Sequence, residues 1–230
     1  MNKRIQRLGI GLALMGLVFF AAGGYTLYKT QQGANALQTF SAAQNVKLNY
    51  NDQGQLVDRG ETAGAAAIMS LLENDWGYAV DRGDLNPNDP LVNTASEYMY
   101  QMATISYHTL HGATTVTIPE DVVVDGQVVT KAGTYDFENT GKYWTGFDRA
   151  DPIQAAARDK IWTGTAHALI AELGVGSVTA SALTMGLGIA ALFALVGLTV
   201  LMTGLGLVWA ARASTEKAKA PAFKQVANPA

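Results

Sequence analysis

The sequence predicts an α+β membrane protein: two transmembrane helices, N- and C-terminal, flanking an exported domain of helices with small antiparallel β-hairpins. Three observations lead there. Residues 8–27 and 173–211 form uncharged runs of 20 and 39 positions, and about 20 apolar residues in a helix cross one hydrocarbon core. Charge is segregated: residues 1–29 sum to +4, residues 30–172 to −10 and residues 173–230 to +3, which returns the net −3. The acidic middle is punctuated by Asp-Pro and Asp-Gly pairs, which are helix-opening and hairpin signals.

The composition narrows the class further. Of 230 residues, 49% are hydrophobic and 15% charged, and cysteine is absent. A basic nucleic-acid binder, a disulfide-stapled secreted domain and a chain too polar to fold do not fit that balance. Basic ends around an acidic middle place both termini in the cytoplasm and the middle outside, in a two-pass plasma-membrane protein.

The basic segment 1–7 leads into the first span, 8–28. A cleaved signal peptide would share that beginning, but the apolar run exceeds a usual signal core. The first small-residue cleavage pattern, Ala34-Asn35-Ala36, also lies too far beyond it, so the span reads as a retained anchor. Residues 29–172 are enough for one domain with its own core. Residues 31–44 continue the first helix. Apolar flanks around Asn51-Asp52-Gln53-Gly54 read as a hairpin, and a helix is expected from Glu61 to Leu72.

The Gly-, Pro- and Asp-rich residues 76–89 read as an irregular loop, and Asp89-Pro90 as the cap of a helix that Gly112 closes. Asp125-Gly126 between two valine-rich runs is the strongest hairpin signal in the chain. Asp151-Pro152 opens a second helix running toward the second span. Residues 173–184, small and mildly polar, form a helical lead-in to that span at 185–211. The tail 212–230, rich in Ala, Lys and Pro, reads as basic, disordered and cytoplasmic.

Both spans carry small residues every seven positions: Gly9, Gly16 and Gly23, then Ala190, Gly197 and Gly204, with Ala211 continuing the series. Seven residues are nearly two helical turns, so each set lies on one face and admits another backbone, in the other span or in a partner.

Chemistry is sparse. No Walker A, nucleophile elbow or dinucleotide fingerprint occurs, and no thiol. His108 and His111 share a helical face at a spacing of three, and His167 offers a third imidazole, with Glu97 or Asp148 as oxygen donors. No cofactor is therefore expected, with copper or zinc on these histidines as the alternative. Copper gains from nearby Met99 and Met102, although methionines at such spacing are more often core. Asp81, Asp84 and Asp89 crowd one loop without calcium-loop spacing and read as a solvated acidic surface. Tyr143, Trp144 and Phe147, around a glycine in a loop, form a candidate contact or small-ligand surface.

The layout resembles actinobacterial two-span envelope proteins of unknown function: a basic N-terminus, one span, a compact exported region, a D-R-x-D-P element, a small-residue stretch and a second span. Here that element is Asp148-Arg149-Ala150-Asp151-Pro152. Some relatives bear a ring-opening dioxygenase label, for which no histidine here has the partner spacing of a ferrous facial triad. The resemblance carries no catalytic residues. The chain therefore reads as a non-catalytic accessory or assembly subunit, with the lipid bilayer and membrane-protein subunits as partners and no nucleic acid.

Overall fold

The computed structural model describes residues 2–219, and side chains within 3–213. It is a mixture of helices and small antiparallel sheets, with two helices long and apolar enough to cross a membrane. These are α1 (Asn2–Gln44) and α5 (Gly164–Lys219). The chain divides into two compact units, one made of residues to 35 and from 182 onward, the other of residues 36–181.

In the first unit, α1 and α5 lie against each other through the seven-residue series. A Cβ added at Gly9 would stand 2.7 Å from the Gly204 carbonyl oxygen, one at Gly16 2.7 Å from that of Gly197, and one at Gly23 3.0 Å from that of Ala190. Each pair of numbers sums to 213, which is the signature of antiparallel helices in one fixed register. Gly11, Gly24, Gly188 and Gly206 meet nothing within 4 Å, so not every glycine of these helices is required by contact. The next position of the series, Thr30, is buried, and its hydroxyl oxygen is 2.5 Å from a Cβ added at Gly186. Large apolar side chains point away from the seam: Leu14, Val18, Leu195 and Met202 are more than half exposed.

α5 is unbroken from the lead-in onward and continues to Lys219. Residues 212–219, expected as the start of a disordered tail, are therefore helical, and residues 220–230 lie outside the described residues. Alanine, glutamate and lysine at these positions are good helix formers and prolong a helix already nucleated.

The second unit holds α2 (Thr62–Ser70) with a π turn (Leu71–Asp75), α3 (Ala95–Leu110), β1 (Ala113–Ile118), β2 (Val122–Val124), β3 (Gln127–Thr130), β4 (Gly133–Glu138) and α4 (Pro152–Ile161). One cluster of core residues joins Ile68 and Leu72 to Leu48, Val92, Tyr98 and Ala103. A second joins Leu71 and Leu110 to Val116, Phe147, Ala157 and Trp162. β1 pairs antiparallel with β4 from Ala113↔Glu138 to Ile118↔Gly133, and β2–β3 form an inner hairpin between them. Its turn residues Asp125 and Gly126 have φ of 51° and 78°, the doubly left-handed turn that Asp-Gly favours.

Three local expectations change. Asp89-Pro90 opens no helix; Pro90 and Val92 instead bond to the backbone of Leu48 and Val46. The cap is Thr94, whose side chain accepts from the Glu97 N–H while the Glu97 carboxylate accepts from the Thr94 N–H. This reciprocal box satisfies two orphan donors at once, and it leaves Val92 free to be buried. The turn at residues 51–54 forms, but its flanks meet only at the bridge Tyr50↔Leu56, because residues 46–48 pair with 90–92 instead. Finally, Asp151 caps α4 through Ile153 N–H at 2.9 Å, but α4 stops at Ile161. The buried Trp162 interrupts it, and Thr163 caps α5 through the Ala166 N–H at 3.1 Å.

Candidate functional site

The end of α3 and the strand that follows bring His108 and His111 to one cleft of about 460 Å3, also lined by Arg59, Ile105, Thr114, Asn139 and Lys160. His108 leaves the last turn of α3 with Nε2 2.9 Å from Asp58 Oδ1. A carboxylate oxygen only accepts, so Nε2 carries the hydrogen of this contact. His111 is no longer helical, because α3 ends at Leu110 and Gly112 takes φ +106°. Its Nδ1 lies 2.9 Å from the Tyr107 carbonyl oxygen and its ring stacks on Tyr107 at 4.0 Å between centroids. A carbonyl only accepts, so Nδ1 carries the hydrogen of this contact.

Arg59 and Gly60, with φ of 49° and 87°, are the centre of a tight turn whose ends, Asp58 and Glu61, exchange both backbone hydrogen bonds. This turn puts Arg59 on the cleft. Lys160, at the end of α4, donates from Nζ to the Thr115 carbonyl at 2.6 Å. Asn139 is buried and donates to the Thr109 carbonyl at 3.0 Å, which ties the end of β4 to α3.

His167 is not at this cleft. It sits in the first turn of α5, with Nδ1 3.0 Å from the Thr163 carbonyl oxygen and its ring edge-on to Trp144 at 4.8 Å. Among the described residues no three His, Asp or Glu side chains gather as a group that could hold a metal ion. The oxygen donors considered with them are also engaged elsewhere. Glu97 is buried in the α3 cap, and Asp148 accepts from Ala150 N–H at 2.9 Å. Met99 and Met102 pack against the first core cluster. His108 and His111 do each have the outer hydrogen-bond partner that orients a ligating imidazole. Two ammonium or guanidinium charges on the same cleft nevertheless oppose a cation there.

The aromatic loop divides into core and surface. Phe147 is buried and packs on Phe137 at 5.8 Å. Tyr143 is exposed, and its hydroxyl accepts from Trp76 Nε1 at 2.8 Å. Trp144 is half-buried under the Arg158 guanidinium, 4.4 Å from its centroid. The loop's rings are thus mostly spent on holding α4 and the start of α5.

Inside the domain lie two phenolic groups, Tyr50 and Tyr100, that the sequence did not single out, beside Glu97, which it did. Burial, then the nearby Glu97 charge, pushes the Tyr50 hydroxyl up to about 12. Burial, then Asp58 and Tyr50, raises Tyr100 as well. Burial raises Glu97 despite hydrogen bonds from Asn93 and Thr94 that act the other way. Asp58, Arg59 and Lys160 were also missed. Each is an unremarkable charged residue locally, and only the fold brings it to His108, so no local pattern marks them.

Comparison with known protein families, with curated proteins and with solved structures finds no match for this chain. Its function is read from the geometry.

Proposed function

We propose that the chain is a two-pass membrane protein with both termini cytoplasmic, acting as a non-catalytic accessory or assembly subunit whose exported domain docks onto a partner in a larger membrane or envelope complex. The observation that carries this reading is the β2–β3 ribbon. Val123, Val124, Val128 and Val129 are each about half exposed, on a two-stranded ribbon that pairs with no other strand among the described residues. Exposed valines on an unpaired ribbon are a liability unless something covers them. The glycine seam is taken up between α1 and α5, so docking falls to the domain. Orientation rests on the basic ends and acidic middle, and the resemblance to two-span envelope proteins points the same way.

The test is a native pull-down from gently solubilised membranes, comparing the natural chain with Val123→Thr/Val128→Thr, which keeps strand propensity. A stoichiometric set of membrane partners, reduced in the variant, supports the reading; a chain recovered alone overturns it. Because the chain has no cysteine, single cysteines report topology without background. An impermeant maleimide should label Gln127→Cys on intact cells and leave Ala213→Cys unlabelled.

A further inference from the structure

We propose that the cleft between the end of α3, β1 and α4 binds a small anion, a carboxylate- or phosphate-bearing molecule, through Arg59 and Lys160. This inference does not depend on the docking reading. Residues 30–172 carry a net charge of −10, yet this cleft is lined by Arg59, Lys160, His108 and His111, with no carboxylate among its lining residues. The carboxylates nearest in the chain are already engaged. Asp58 is held by His108 at 2.9 Å, and the Glu138 carboxylate accepts from the Thr140 N–H and hydroxyl.

Arg59 gives the strongest indication. A non-glycine residue at φ +49° is held against its intrinsic preference, and a two-residue turn of this kind ordinarily takes Asn, Asp or Gly there. The fold keeps an arginine where glycine would be easier, and strain of this sort is characteristic of functional positions. Among the described residues its guanidinium makes no hydrogen bond or ion pair, whereas Arg82 and Arg158 are both paired with carboxylates. A free guanidinium fork suits the two oxygens of a carboxylate or phosphate. Lys160 spends one of its three hydrogens on Thr115 and keeps two, and Thr114 lines the same cleft. Ile105 and Ile161 supply an apolar flank for a carbon skeleton.

The experiment titrates the detergent-solubilised full chain with inorganic phosphate and with citrate, against sodium chloride at equal ionic strength, reading thermal stability and calorimetric binding. Saturable binding of at least one anion is expected, weakened by about tenfold or more in Arg59→Gly and in Lys160→Met, the loss typical of one charge-assisted contact. Arg59→Gly without anion should be at least as stable as the natural chain, because glycine relieves the positive φ. A purely structural arginine would not separate stability from binding in this way. Phosphate alone, citrate alone or both will identify the headgroup. The proposal is overturned if neither anion binds, if both variants bind like the natural chain, or if zinc or copper binds tightly and Arg59→Gly strengthens it. Should Lys160→Met fail to fold, Arg59→Gly decides by itself.

Discussion

The two units of this protein are held together by opposite means. Where α1 meets α5, glycines let backbone meet backbone along the seam, Phe19 stacks on Phe193 at 6.1 Å, and Leu14, Val18, Leu195 and Met202 face away. The domain fills its centre with Ile68, Leu72, Tyr98, Leu110 and Trp162, and fixes it with caps and tight turns. On the two-pass reading proposed above, α1 and α5 lie in an apolar solvent, where burying leucine against leucine gains little and close approach and dispersion do the work. In water the same leucines drive folding. The contrast teaches that small residues are informative in one unit and large ones in the other.

The largest expected effect breaks the seam. Gly16→Leu places side-chain atoms where the Gly197 carbonyl and the Leu201 backbone already stand, and backbone cannot rotate away as a side chain can. Separation of the helix pair is expected, a loss of about 3 kcal/mol or more. Gly11→Leu, five residues earlier and meeting nothing within 4 Å, should stay within about 0.5 kcal/mol. Resistance of the pair to unfolding in detergent measures both, and equal losses would show that the seam does not hold the unit together. In the domain, Leu72→Ala at a fully buried site should cost about 2–5 kcal/mol in thermal or denaturant unfolding.

How much of this was legible depended on the range of the cause. The helix pair was readable because its determinant is periodic: Gly9, Gly16 and Gly23 announce a face whatever they touch. Asp125-Gly126 and Asp151-Pro152 were readable because turn and cap chemistry is complete within a few residues. Asp89-Pro90 misled because the same dipeptide is compatible with a bridge, and the Thr94-x-x-Glu97 box five residues on is the stronger start. The cleft was half legible. His108 and His111 stood out as rare residues, but Asp58, Arg59 and Lys160 reach them across tens of residues of chain, and nothing local encodes that meeting. His167 illustrates the converse error, since a rare residue type does not imply a shared site.

The cap sharpens the comparison at smaller scale. Thr94→Ala removes the hydroxyl that accepts from Glu97 N–H and donates to its carboxylate at 2.9 Å, and should cost about 1 kcal/mol. Asp89→Ala, at the position first expected to cap α3, should cost less than half of that if Thr94 alone begins the helix. Chemical denaturation of the two variants distinguishes them, and a reversed order would restore Asp89 as the start.

The smallest effect is a pH dependence. Burial raises the Glu97 carboxyl above its ordinary 4.5, and the charge of Asp84 adds to the rise. The folded chain therefore keeps this proton at pH values where the unfolded chain has lost it. Stability from this group falls as pH climbs from 4.5 through the raised value, and levels off once both states are ionised. Glu97→Gln cannot ionise, yet its carbonyl oxygen still accepts from Asn93 and Thr94, which reach the natural carboxylate at 3.0 and 2.9 Å. The variant should gain on the natural chain across that window. Melting temperatures of both from acid to neutral pH test this, and parallel curves would mean that the carboxylate feels no net burial cost. A gain would mark the domain as carrying a polar cost inside its core, of a kind the glycine seam, with no ionisable group in it, does not have.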